Sequence, residues 1–174
     1  LWVNLPSSKK MTEPRYQNLE PTDVVLATSH DAGSIIRIIA GDIDGHRGPG
    51  GTHTPITICH VTVSAGHEVV VPWNPAYNAL AYTLSGAGSA GAEQVPMHTG
   101  RIAVFGAGDS LTFTASETHD LDLYVLGGEP IREPVAKYGP FVMNSRAELQ
   151  QAFEDFQAGR LGTVPADGLR PFRG

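Results

Sequence analysis

The feature that most limits what this chain can become is a succession of short β-type runs: Val24 to Ala27, Ile35 to Ala40, Ile56 to Val63, Glu68 to Val71, Ala79 to Leu84, Ile102 to Phe105, Ser110 to Thr114 and Leu121 to Leu126. Each is bounded by turn-forming clusters, among them Asp44-Gly45, Gly48-Pro49-Gly50-Gly51 and Gly86-Ala87-Gly88. No helix-length periodic segment separates them, so the crossover helices of a parallel sheet are missing and the pattern predicts an all-β sandwich or barrel. A length of 174 residues suits one fair-sized core. No fixed-period repeat is present, which removes propellers and solenoids.

One helix is predicted late in the chain. Ser145-Arg146-Ala147-Glu148 has the spacing of a capping box. Leu149, Phe153 and Phe156 then recur at i, i+4 and i+7, a stripe expected to lie on the β body, with Gly159 as a natural stop. Residues 7–22, with Pro14 and Pro21 and no period, read as a linker or surface arm, and the tail from Thr163 reads as extended.

Charge and cysteine content exclude several classes. With 18 acidic against 12 basic residues the formal charge is −6, the wrong sign for holding a phosphate backbone, so no direct nucleic-acid partner is expected. No apolar run reaches the roughly 18 residues a membrane helix requires. The single cysteine, Cys59, cannot form an internal disulfide and reads as a small buried hydrophobe in a protein of a reducing compartment. The opening Leu1-Trp2-Val3-Asn4-Leu5-Pro6 has no initiator methionine and no secretion pattern, and reads as cut from a longer polypeptide.

Several stretches together resemble the pirin family of two-domain cupins, and specifically its C-terminal half. They are Leu1 to Pro6, Lys10-Met11 with Pro14 and Tyr16-Gln17, Thr52-His53-Thr54-Pro55-Ile56, Tyr82-Thr83-Leu84-Ser85-Gly86, Gly128 to Val135, and Tyr138-Gly139-Pro140-Phe141-Val142-Met143-Asn144. The resemblance implies a cupin double-stranded β-helix, or jelly-roll barrel, with one C-terminal α-helix. It implies a junction or arm over 1–22, a barrel over 23–144, and a helix and tail over 145–174 packed on the barrel. In that family the N-terminal half, absent here, carries iron on a His-x-His pair within a His-Pro-His-Arg-Gly stretch. The nearest string here, Gly45-His46-Arg47-Gly48, has one histidine where two are needed. Family members resemble quercetin 2,3-dioxygenases, and the human member is regarded as a nuclear, iron-dependent transcriptional co-regulator. A cytoplasmic location follows, or a nuclear one in a eukaryote.

Cupin metal sites draw paired histidines, a carboxylate and a later histidine from lumen-facing strand positions. If Gly66 and Gly86 frame the first motif, the paired positions fall on Pro72 and Asn74 and the carboxylate on Ala79. The last position falls on His119, which can still face the lumen. With most ligands gone, no metal and no catalytic residue is expected in this chain. His60 shares the parity of Ile58 and Thr62, opposite Cys59, so the two are not a nucleophile–base pair. His53 suits a structural hydrogen bond or a ligand-facing place. His67-Glu68 and His119-Asp120 read as solvated pairs, and His30, His46 and His98 as turn residues.

On the strand from Ala79, the small residues Ala79, Ala81 and Thr83 share one parity and Leu80, Tyr82 and Leu84 the other. With position 79 inward, the small residues wall the lumen, where His53, His60 and His119 are further ligand candidates. The large row then faces outward and needs a cover: the arm, the absent N-terminal cupin or a second copy. The inverse parity makes that row ordinary core. The leading reading is a structural and interaction domain supporting an iron-bearing N-terminal cupin, inactive alone. The alternatives are a metal-dependent quercetin 2,3-dioxygenase in the longer protein, or a small-molecule-binding cupin module.

Overall fold

The computed structural model describes residues 1–162, so the expectation for the tail from Thr163 lies outside the described residues. The chain divides into two compact units, Gln17–Pro130 and a second made of Leu1–Tyr16 with the chain from Ile131 onward.

The Gln17–Pro130 unit is a curled, antiparallel, nine-stranded sheet. Its strands are β1 (Val25–Thr28), β2 (Ser34–Ala40), β5 (Ile56–Val63), β6 (Glu68–Pro72), β7 (Asn78–Ala90), β8 (Val95–His98), β9 (Ile102–Val104), β10 (Ser110–Ala115) and β11 (Leu121–Gly128). A separate two-stranded pair, β3 (Asp42–Ile43) with β4 (His46–Arg47), interrupts the sequence. The order is β1-β2-β5-β11-β7-β10-β6, with β8 and β9 also on β7. Eight of these nine strands coincide with the runs read from the sequence. The ninth, β8, is four residues long and contains Pro96, so it carries too little alternation to stand out.

β5 shows why these segments become strands. Thr57, Cys59, Val61 and Val63 are buried, while Ile58, His60 and Thr62 are only partly so. β-branched residues dominate both parities, as a pleated surface favours. The same alternation runs through β2, β10 and β11, so Ile38, Phe113, Leu123 and Val125 meet in one core at 0% exposure. Full burial of a side chain the size of Phe113 is worth about 3 kcal/mol.

β7 serves two parts of the sheet because it bends. It pairs with β11 as far as Gly86, then with β8 and β10. Leu84 is the extra residue of a bulge, since Thr83 faces Leu123 while Ser85 already faces Asp122. Gly86 follows at φ +89°, and a Cβ there would fall 1.8 Å from the Asp120 carbonyl oxygen. Only glycine allows this path.

The other unit holds a short 3-10 turn (Ser7–Lys9), the hairpin β12 (Ala136–Tyr138) with β13 (Phe141–Met143), and helix α1 (Arg146–Gln157). The expected capping box is formed: Glu148 N–H donates to Ser145 Oγ, and the Glu148 carboxylate accepts from Ser145 N–H. Within this unit the helix meets the hairpin, Phe153 lying edge-on to Phe141 with centroids 4.8 Å apart. Leu149 and Ala152 are buried, and Phe156, although 64% exposed, still sets its ring edge-on to Phe141 at 6.1 Å, so the predicted stripe reaches the hairpin at its margin. Glu133 fastens the start of the chain, its carboxylate accepting from Ser7 N–H at 2.7 Å and Ser7 Oγ at 3.1 Å. Those bonds, Ser7 N–H first, hold its carboxyl below the usual range.

Candidate functional site

The inner face of the barrel is filled. Ala79, Ala81 and Thr83 of β7 point inward at 5%, 0% and 0% exposure; the two alanines share one core with Val61, Leu121, Leu123, Phe113 and Met97, and Thr83 faces Leu123 in the register. On β6 the inward places belong to Val69 and Val71, and Trp73 follows on the same parity. Pro72 and Asn74, taken from the sequence as the paired-ligand positions, are exposed, because strand alternation gives the inward side to their neighbours. His119 is also exposed. It lies in the turn between β10 and β11, its Nδ1 2.8 Å from Thr118 Oγ1, and does not face the lumen.

The buried polar atoms of this interior are hydroxyls and an indole. Ser34 Oγ, Thr83 Oγ1 and Trp73 Nε1 have no hydrogen-bond partner among the described residues. Non-haem iron is held by imidazole and carboxylate donors with positions left open. Among the described residues no cluster of three or more His, Cys, Asp or Glu is placed to hold a metal ion. These inward residues do not fit iron. Cys59 offers no substitute chemistry, since burial pushes its thiol up to about 12, leaving it protonated and unreactive at neutral pH.

Polar groups gather instead on the outer face. Cross-strand register lines up Leu26, Arg37, His60, Tyr124, Tyr82 and Ile102 in one row across β1, β2, β5, β11, β7 and β9. His60 therefore leaves the list of lumen candidates, lying on the opposite face from Cys59 and Val61. Arg37 Nη1 donates to Thr62 Oγ1 at 2.9 Å and lies 3.3 Å from His60 Nδ1. Thr62 donates to Asp122 Oδ1 at 2.7 Å, and His60 Nε2 is 3.3 Å from the same oxygen. Ser85 Oγ donates to Asp122 Oδ2 at 3.3 Å. This bonding suits an imidazole accepting at Nδ1 and donating at Nε2. Part-exposed polar contacts of this kind are worth at most about 1 kcal/mol each, so the network orients side chains more than it stabilises the fold.

Around that network the face is apolar and aromatic. Tyr82 and Tyr124 are 38% and 40% exposed, and Leu80 and Leu84 are half-buried beside them. The His60 and Tyr124 rings sit 5.5 Å apart. Arg37, Asp122 and Tyr124 were not singled out from the sequence. Their outward parity was legible there, but the register that joins them was not.

The remaining histidines are dispersed. His53 is exposed in the loop before β5, on the rim of an open cleft. His67 Nδ1 meets Asp31 Oδ2 at 3.0 Å, and Asp31 also accepts from Ser29 Oγ and Gly33 N–H. The Ser29 hydroxyl first, then His67 and Gly33, hold the Asp31 carboxyl far below the usual range. Among the described residues no helix is long and apolar enough to cross a membrane.

Comparison with known proteins agrees with this architecture. The family model of the pirin C-terminal cupin domain matches residues 58–162. Pirin-1 of Arabidopsis thaliana is 37% identical over 167 residues, covering 93% of this chain and 57% of its own length. Human pirin is 35% identical over 167 residues, covering 93% and 56%. The crystal structure of quercetin 2,3-dioxygenase from Acinetobacter baumannii superposes with a TM-score of 0.84 at 32% identity, covering 93% of this chain and 56% of that one. The chain thus spans little more than half the length of these relatives. The β-barrel architecture, the family-model match over residues 58–162 and the relatives at 35–37% identity agree: the chain belongs to the pirin family, as a C-terminal cupin domain.

Proposed function

We propose that this chain is the half of a two-cupin protein that holds no catalytic metal of its own. Its work is to support an iron-bearing N-terminal cupin and to offer its outer sheet face, centred on Leu80, Tyr82 and Leu84, to that cupin or to a second copy. The observation that carries this reading is the division between the two faces. The inner side of the barrel is packed with Val71, Trp73, Phe113 and Leu123, while Tyr82 and Tyr124 stand in the open beside an oriented polar network. An exposed apolar sheet face of this kind is normally covered.

The name of the Acinetobacter relative brings a dioxygenase to mind, and activity of that kind is proposed only for a polypeptide that adds a metal-bearing half. In this chain the inward positions Val71, Trp73 and Ala79 carry no imidazole or carboxylate donor for such chemistry. The lumen-binding alternative is weakened in the same way, since Ala79 and Ala81 belong to the packed core and Thr83 is fully buried.

The test is bound iron, copper, zinc, manganese and nickel per chain on protein purified without added metal, followed by quercetin turnover on the same sample. Metal at the level of a chelator-stripped control, with no turnover, is expected. Near-stoichiometric iron together with turnover would overturn the proposal.

A further inference from the structure

The loop that runs from β3 to β5, with the turn before β7, encloses an open cleft of ≈ 720 Å³ within the Gln17–Pro130 unit. Small-molecule sites usually fall between about 300 and 1,000 Å³. Its lining combines the apolar Pro55, Ile56 and Tyr77 with Arg47 and His53.

The cleft is built rather than incidental. Gly48 N–H donates to Gly41 O at 2.9 Å, and Gly50 N–H to Ile39 O at 2.8 Å. Gln17 brackets the loop from the other side, donating from Nε2 to Pro49 O at 2.9 Å and accepting from Gly51 N–H at 2.8 Å. Gly48 and Gly50 lie so close to β2 that a Cβ on either would fall 2.7 Å from its backbone. These contacts tie the loop to β2 and to Gln17, which lowers the ordering cost of binding.

The cationic side is uncommitted. Among the described residues Arg47 forms no ion pair. Asp42 is its cross-strand neighbour in the β3–β4 pair, but the Asp42 Oδ1 atom is taken by Gly45 N–H at 2.8 Å. A guanidinium fork matches a carboxylate through two parallel N–H donors. With one carboxylate already on the rim, a singly charged anion is favoured over a doubly charged one. The Tyr77 ring and Ile56 suit a flat apolar body.

We propose that this cleft binds a small aromatic monocarboxylate, its carboxylate on Arg47 with His53 as a second donor and its ring against Tyr77 and Ile56. The site shares no lining residue with the outer face centred on Leu80, Tyr82 and Leu84, so it stands or falls independently of the function proposed above.

Calorimetric titration of the whole chain with benzoate, benzamide and inorganic phosphate tests it. Saturable benzoate binding is expected, with neither benzamide nor phosphate binding at the same concentrations. Arg47→Gln should weaken benzoate by about tenfold or more at an unchanged unfolding midpoint. Should Arg47→Gln fail to fold, Arg47→Lys decides: about a threefold loss or more supports the bidentate fork, and unchanged affinity overturns it. The proposal is equally overturned by no saturable benzoate binding, by benzoate binding that survives Arg47→Gln, or by benzamide or phosphate binding as well as benzoate.

Discussion

Replacing Thr83 by valine asks whether the barrel interior is a dry core or a chamber. Thr83 is fully buried on β7, with Leu123 of β11 opposite it in the register. Its backbone is already satisfied, N–H to Arg101 O at 2.9 Å and carbonyl from Gly100 N–H at 2.9 Å, so the substitution touches only the side chain. The hydroxyl is without a partner among the described residues, and a buried unpaired polar group costs about 1–3 kcal/mol. A methyl in its place removes that cost and adds apolar contact, so Thr83→Val should stabilise the protein by about 1 kcal/mol. For a domain of this size that raises the unfolding midpoint by roughly 4 °C. Ala81→Leu, two residues away and facing Val125 and Ala103, is the complementary probe. A filled interior has no room for the added carbons, and overpacking should cost about 2 kcal/mol. Calorimetry and urea unfolding read both. If Thr83→Val destabilises by about 1 kcal/mol or more and Ala81→Leu is tolerated, the hydroxyl faces bound water or a ligand, and the filled-lumen argument is wrong.

Three further outcomes follow from the same structure. Cys59, fully buried and with its thiol pushed up to about 12, should not react with a disulfide reagent at pH 8 in the native protein and should react fully in denaturant. Gly86→Ala places a Cβ 1.8 Å from the Asp120 oxygen at a positive φ, so it should cost about 3 kcal/mol in urea unfolding, a small effect meaning that the β7 bend relaxes freely. The Asp31 carboxyl is held low by Ser29, His67 and Gly33, so its contribution is present above the unfolded value of about 3.9 and is lost as pH falls through the lower folded value. Asp31→Asn should therefore lower the unfolding midpoint at neutral pH, with the gap from the parent protein narrowing in acid, and a pH-independent gap would contradict this.

What the sequence made legible was whatever depends on period. The turn-bounded runs gave the strands of the large sheet, and the alternation of β7 put Ala79, Ala81 and Thr83 on one face, although which face turned inward rested on the placement of the cupin motif and is settled by their burial. The Ser145 capping box was equally local. Frame placement was harder. Setting the cupin motif by its glycines put the ligand positions on Pro72 and Asn74, one residue out of phase with the buried Val71 and Trp73. Cross-strand register was out of reach, because nothing near Arg37, in sequence, announces that it stands beside His60 and shares Thr62 with Asp122. The short hairpins were missed for a related reason: β3 with β4, and β12 with β13, are two or three residues per strand, too short to show alternation.

The two faces of the barrel are linked energetically. Holding iron inside this barrel would need histidine or carboxylate on inward positions such as Val71, Trp73 and Ala79, which are now core. Each polar group left there without metal costs about 2 kcal/mol, against a total stability of about 5–15 kcal/mol for a domain. A cupin with its ligands in place therefore leans on the metal for part of its stability, whereas one filled with valine, tryptophan and phenylalanine does not. The interior here is spent on stability, and the polar and aromatic chemistry left to the domain is what its outer row and its loop cleft display.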